Sequence, residues 1–295
     1  YYYLLTLIYK VPEGTWILVI LSLPASVMTI RTRAALADEI TLWTMPLVVL
    51  FSISLLTDIN LGLRYVLPIA PFVFIACGKV APWAASLRSP GKGVLTTLAA
   101  GSLTSTIVAS VLIYPHYLAY FNWTSGGPDR VPARLIDSNL DWGQDLVALQ
   151  RWWKEEVPGQ PLGLAYFGQI NPSIFPMRGE PFQWFLPPVR PGTTQPMAND
   201  PRLFGPARRL EPGYYAVSVT LLYGLPWRLY DPAPPEEVVQ ARAPAWNVVA
   251  PNAFEYFRQF EPIKKIGHSI YVYHLSEANV ARVASLFEGP RRSAE

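Results

Sequence analysis

Apolar positions come in long unbroken runs over the first 113 residues and in short runs after them. Residues 14–30 hold no charged side chain, nor do residues 40–57 or 94–114, and residues 60–78 are interrupted only by Arg64. About 17–25 such residues carry a helix across the hydrocarbon core of a bilayer. The pattern therefore predicts four transmembrane spans, at 14–30, 40–57, 60–78 and 94–114. Pro24 and Pro46 lie inside the first two, where neighbouring helices can satisfy the carbonyls a proline frees. Beyond Tyr114 the period changes. Leu146, Leu149, Trp153 and Val157 fall on one face of a helix expected over 142–156, with Asp141 placed to cap it. Residues 162–167, 214–222 and 269–275 read as strands, 252–260 and 276–287 as helices, and the Pro- and Gly-rich stretch 171–212 as a long loop. The expected architecture is a multi-span α-helical membrane region over 1–114, followed by a small extracytoplasmic α/β domain over 115–295.

Composition sharpens the division. Residues 1–113 hold 7 Lys and Arg and 4 Asp and Glu, which leaves 17 of each sign for the remainder of a chain with 24 and 21 in total. The apolar region thus carries the whole net charge of +3, and the second region is balanced. At 15% charged and 51% apolar residues, against about 25% charged in ordinary soluble domains, the chain is not one homogeneous soluble domain. It also lacks the basic face of a nucleic-acid binder. Cys77 is the single cysteine, so no disulfide framework exists within the chain. The opening YYYLLTLIYK has no basic n-region or cleavage site, and the chain is expected to be the C-terminal part of a longer protein.

Basic residues in short connections set orientation. Arg31, Arg33, Lys79, Arg88 and Lys92 fall on one side of the expected spans, against Lys10 and Arg64 on the other. This places loops 31–39 and 79–92 in the cytoplasm and everything after Tyr114 outside it. The adjacent Asp38 and Glu39 are expected to be solvated in the first of those loops.

Two places carry candidate chemistry. Arg64 sits in DINLGLRYVLPIAPF, at the outer end of a span and before Pro68 and Pro71. Its guanidinium either snorkels to the headgroups or grips a phosphate at the interface, where its planar fork suits bidentate contact. The second place is DSNLDWGQDL, residues 137–146. Asp137, Asn139 and Asp141 alternate as at the start of an EF-hand loop, but Trp142 stands where the loop needs glycine and Ala148 where it needs glutamate. One remaining reading has Asp141 capping a helix and Asp145 favouring its N-terminal dipole. The other is a polar platform for a sugar or acceptor, built from Asp137, Asn139, Asp141, Trp142, Gln144 and Asp145 with Trp123, Trp152 and Trp153 nearby. His116, His268 and His274 lack metal-ligand spacing, so no metal site is expected. Nucleophile-elbow, P-loop and dinucleotide motifs are absent from the sequence. Asn122-Trp123-Thr124 is a formal N-glycosylation sequon.

The chain resembles the C-terminal portion of bacterial membrane glycosyltransferases of the dolichyl-phosphate-mannose–protein mannosyltransferase superfamily, the multi-span GT-C class. The resemblance runs in order through RYVLPIAPF (64–72), YPHYLAYFN (114–122), GGP (126–128), DSNLDWGQDL (137–146), LAYFG (164–168), YAVSVTLLYG (215–224) and IGHSIYVYHL (266–275). It implies the C-terminal part of a GT-C-like bundle in the bacterial inner membrane, with its last domain extracytoplasmic. It also implies transfer of a sugar from a polyprenyl-phosphate donor to a hydroxyl of a protein or glycan acceptor on the outer face, with Arg64 meeting the lipid phosphate. The family's catalytic carboxylate lies in a first outer loop that no part of this sequence matches, so no catalytic residue is carried over. Membrane lipid, the lipid-linked donor and the acceptor are the implied partners, and no cofactor beyond the donor is implied. Two other classes are weighed beside it. A membrane-anchored glycan-binding module without catalysis would bind sugar saturably, and a transporter would show paired intramembrane charges or inverted repeats.

Overall fold

The structure, a computed structural model, describes residues 1–56, 62–172, 183–190, 193–195, 209–225, 227–230 and 246–287. It divides into two units, Tyr1–Val131 and Pro132–Glu295. Residues 115–131 thus belong with the helical unit rather than with the α/β unit in which the sequence pattern placed them.

The first unit holds α1 (Tyr2–Lys10), α2 (Glu13–Thr29), α3 (Arg33–Leu55), α4 (Ala70–Gly78), α5 (Val80–Ser86) and α6 (Gly91–Leu112). Three of its helical segments are long and apolar enough to cross a membrane: Arg33–Leu55, Leu67–Ser86 and Gly91–Leu112. Helix α2, with 17 residues, passes that test only together with α1, from which it is bent by 111°. The run expected at 60–78 is displaced to 67–86, and prolines explain its start. Pro68 and Pro71 have no N–H to give to the carbonyls four residues back, so Leu63–Tyr65 and Leu67–Ile69 form 3-10 turns before α4 begins. Pro82 likewise cannot bond the Gly78 carbonyl, and the helix is interrupted there between α4 and α5.

Helices α2 and α6 approach closely because their facing residues are small. A Cβ on Gly14 would lie 2.0 Å from the Ser102 carbonyl oxygen, and the hydroxyls of Thr15 and Thr106 meet at 3.2 Å. Small residues and interhelical hydroxyl bonds are the packing devices of helices in lipid, where apolar burial alone gives little drive. The end of α2 that carries Thr29 also holds Glu39 and Lys79. Thr29 donates its hydroxyl to Glu39 at 3.0 Å, and Glu39 is ion-paired with Lys79. Glu39 is therefore buried within α3, not solvated in a loop, although Asp38 beside it is exposed. The correction has a simple cause: a 3.6-residue turn points Asp38 and Glu39 100° apart, so one meets α4–α5 and the other does not.

The second unit is built on a five-stranded mixed sheet in the order β2-β1-β4-β8-β7, with β1 Leu162–Ala165, β2 Trp184–Phe185, β4 Gly213–Ser218, β7 Lys264–Ile266 and β8 Ile270–Leu275. Strand β1 runs parallel to both β2 and β4, and β8 pairs antiparallel with β4 and β7. Period-2 alternation sorts the side chains. Ala216, Ile270 and Val272 pack with Leu149 and Trp153 of α7 (Leu146–Glu156) on one face. Tyr215 and Tyr273 meet Phe257 on the other. A three-stranded antiparallel sheet, β3 (Thr194–Gln195), β6 (Trp246–Val249) and β5 (Trp227–Tyr230), completes the strands among the described residues. Helices α8 (Val219–Leu222) and α9 (Glu277–Val283) follow β4 and β8. The strand expected at 214–222 therefore ends at Ser218 and turns helical. The helix expected at 252–260 is a 3-10 segment, Glu255–Gln259. Most of the loop expected at 171–212 lies outside the described residues.

Candidate functional site

Strands β1 and β4 end side by side, and the chain leaves β1 toward β2 on one flank while β4 lies on the other. Such a switch point, at the carboxyl ends of parallel strands, is where open α/β sheets commonly present their chemistry. The acidic block arrives there just ahead of α7. Asp141, fully buried, accepts the Gly143 N–H on Oδ1 at 2.8 Å, an Asx turn. Gly143 has φ +77°, and the helix begins only at Leu146 rather than at 142. Asp145 occupies the N-cap position but makes no capping bond. Its Oδ2 instead accepts the Ser269 hydroxyl at 2.6 Å and the Gln144 side-chain amide at 3.3 Å. The cap assigned to Asp141 is therefore not made: Asp141 closes the turn, and Asp145 is engaged by Ser269 in the turn between β7 and β8.

The surrounding contacts leave no spare room. Tyr166, just past β1, donates its hydroxyl to the Gly143 carbonyl at 2.7 Å. A Cβ on Gly143 would come within 2.2 Å of that hydroxyl oxygen, and one on Gly168 within 2.1 Å of the same ring. Gly267, φ +55°, has its α-carbon against the Asp145 carboxyl, where a Cβ would lie 2.1 Å away. Ser218, at the end of β4, accepts the Phe167 N–H at 3.0 Å, and the Val219 N–H reaches the Ser269 carbonyl at 2.7 Å. Burial, then the charges of Asp141 and Asp145, push the Tyr166 phenol well above its ordinary range. Tyr166 is thus a fixed hydrogen-bond donor beside two buried carboxylates.

Of the platform residues read from sequence, Asn139, Asp141, Trp142, Gln144 and Asp145 gather in this turn. Asn139 is buried and donates to the Ile136 carbonyl at 3.3 Å. Gln144 clamps the loop, accepting the Trp142 N–H at 2.8 Å and donating to the Leu140 carbonyl at 3.0 Å. Asp137 opens the 3-10 turn Asp137–Asn139, and its side chain lies outside the described residues. Trp142 is 38% exposed and is the one platform tryptophan of this unit that faces outward. Trp153 is core, with its indole N–H bonded to the Gln160 carbonyl at 2.9 Å, and Trp152 packs against the same cluster. Tyr166, Gly267, Ser269 and Ser218 were not singled out from sequence. All four lie within the blocks 164–168, 215–224 and 266–275 that carry the resemblance, which was the signal available for them. Among the described residues, no group of three or more His, Cys, Asp and Glu side chains is arranged to hold a metal ion.

Arg64 belongs to the first unit. It is exposed on the 3-10 turn Leu63–Tyr65, its Cζ 5.4 Å from the centre of the Tyr65 ring. In the same unit, Asn122 of the sequon is buried. Its amide nitrogen donates to the Ile8 carbonyl at 2.5 Å and the Val11 carbonyl at 2.9 Å. Trp123 beside it is exposed, but in the first unit.

No family model, curated protein or solved structure matches the chain. The class the fold supports is a helix-rich chain with three helices apolar and long enough for membrane spans, joined to a small mixed-sheet unit. Any narrower function rests on the residues themselves.

Proposed function

We propose that this chain is part of an integral-membrane glycosyltransferase that moves a sugar from a polyprenyl-phosphate donor to an acceptor hydroxyl on the outer face of a bacterial inner membrane. The observation that carries the reading is Arg64, an exposed guanidinium on a proline-broken stretch at one end of the apolar helices. A lipid-linked phosphosugar brings its own leaving group. The enzyme must then supply a base for the acceptor and a cation for the departing phosphate. Arg64 fits the second role, since its fork can meet two phosphate oxygens at once. The base is assigned to no residue here. In this reading residues 115–295 lie outside the cytoplasm.

The glycan-binding module keeps one observation in its favour, the outward-facing Trp142 on a loop clamped by Gln144 and Tyr166. The test uses membranes carrying the whole protein and a panel of polyprenyl-phosphate hexoses with a labelled sugar. Arg64→Ala should abolish transfer while leaving insertion intact, and Arg64→Lys should restore only a minor part. Normal transfer by Arg64→Ala overturns the assignment. Saturable glycan binding without transfer by the unaltered protein gives the function to the binding module.

A further inference from the structure

Helix α1 is amphipathic the wrong way round for water. Its polar residues Thr6 and Lys10 are buried, while Leu4, Leu5 and Ile8 are exposed. Lys10 reaches inward to the Leu118 carbonyl at 2.6 Å and lies 4.2 Å from the centre of the Phe121 ring. Both ends of α1 are tied to the same end of the helical unit. The Tyr2 hydroxyl accepts the Gly62 N–H at 3.1 Å, and Tyr3 packs with Val66 and Ile69. At its other end the Tyr9 carbonyl accepts the Asn122 N–H at 2.8 Å. With the 111° bend into α2, α1 lies across the end of the helices rather than continuing through them.

The exposed aromatic residues of this unit are sorted by chemistry. Its exposed tyrosines and tryptophan, Tyr1, Tyr65, Tyr114, Tyr117 and Trp123, all belong to this one end. Tyr1 heads α1, Tyr65 follows Gly62, Tyr114 and Tyr117 follow α6, and Trp123 is held by Asn122. The exposed Phe74 lies instead within α4. Rings with a polar edge gather at a lipid–water boundary, and rings without one go deeper. The cleft between α1 and α3 is apolar as well, lined by Tyr1, Leu4, Leu47, Val48, Phe51 and Leu55.

We infer that α1 and the segment 114–124 form a collar seated in the headgroup layer of one lipid monolayer, with Leu4, Leu5 and Ile8 turned to the acyl chains. A phospholipid monolayer is the occupant because this surface continues the apolar faces of α3 and α6 and ends in tyrosine and tryptophan. An interfacial helix gains from burying such a face at the acyl boundary. The inference rests on the membrane reading above and adds depth to it: Arg64, adjoining Tyr65, then lies level with the phosphates.

Depth is read by spin labels on the whole protein in phosphatidylethanolamine–phosphatidylglycerol vesicles, with Cys77→Ala as background. Labels at Leu4→Cys, Tyr117→Cys and Trp123→Cys are compared with Leu103→Cys within α6 and Glu156→Cys on the second unit. Collision with oxygen reports lipid, and collision with a water-soluble nickel chelate reports solvent. The collar predicts nickel collision several-fold below that of Glu156→Cys at all three sites, and oxygen collision below that of Leu103→Cys. Nickel collision equal to Glu156→Cys, with Leu103→Cys still lipid-like, removes the collar and keeps the spans. Nickel access at Leu103→Cys removes the membrane reading itself. Labels shielded from both colliders mean that protein covers the face, and they overturn the lipid assignment.

Discussion

In the first unit Leu47, Phe51, Leu55 and Val111 face outward while Thr6, Ser22, Ser26, Glu39 and Ser102 are enclosed; in the second, Leu149, Phe254, Phe257 and Val272 are enclosed and charges such as Glu255 and Arg258 face outward. The difference teaches where each unit's specificity resides. Exposed apolar surface says nothing about how the helices of the first unit pair, so polar contacts and a glycine do that: Glu39 with Lys79, and Gly14 against Ser102. In the second unit apolar burial drives assembly, and at one turn Asp141, Asp145, Tyr166 and Ser269 lock a loop geometry.

The largest break is expected at the buried ion pair. Removing Glu39 leaves the half-buried Lys79 without its partner charge, a cost toward or below the lower end of the about 3–5 kcal/mol seen for fully enclosed pairs. Glu39→Leu should therefore lower stability sharply in mixed-micelle unfolding, and the swap Glu39→Lys with Lys79→Glu should recover much of it. An unchanged midpoint for Glu39→Leu would mean that apolar packing alone holds the first unit. A smaller effect is expected at Asp145, whose charged acceptor holds the Ser269 hydroxyl. Asp145→Asn should cost about 1.5–3 kcal/mol in urea unfolding followed by tryptophan fluorescence. Tyr166→Phe should cost least, about 0.5–1.5 kcal/mol for one neutral bond, and it carries a pH signature. A phenol whose pKa is raised by folding stabilises the native state fully below its unfolded value of about 10. That contribution is lost as pH rises through the higher folded value. The unaltered protein should thus lose stability above pH ~10 more steeply than Tyr166→Phe. Parallel curves would show that folding does not raise the Tyr166 pKa, whether by burial or by the neighbouring carboxylates. Other buried phenols, Tyr215 and Tyr273 among them, are pushed in the same direction and set the common slope on which that difference appears.

The helices of the first unit were legible because a run of some twenty residues without charge is too long for a buried strand and too apolar for a helix with a wet face. Lys79 shows the limit. Read along the sequence it ends a run at 78, yet the apolar helical segment runs on to Ser86 with Lys79 paired to Glu39, forty residues earlier. A pairing across that separation is invisible to any local window. In the second unit β1, β8 and α7 were placed within a few residues of their bounds, since alternation and a 3.6-residue period are local. The start of α7 was missed because Asp141 looks the same to the eye whether it caps a helix or closes an Asx turn. The choice was made by Gly143, Tyr166 and Gly267, which come from three separate stretches of chain. Residues of the turn were recognisable as a polar block; the strand ends that enclose it were recognisable only once they met.

The engagement of Asn122 has a practical consequence for making this protein in a foreign cell. An oligosaccharide would have to be attached at the amide nitrogen that already donates to the Ile8 and Val11 carbonyls. Occupancy of that position and closure of residues 115–124 over α1 exclude each other. In a eukaryotic secretory host, a shift in electrophoretic mobility reversed by a glycosidase would therefore count the molecules whose chain was modified before it closed, a simple gel-based gauge of misassembly.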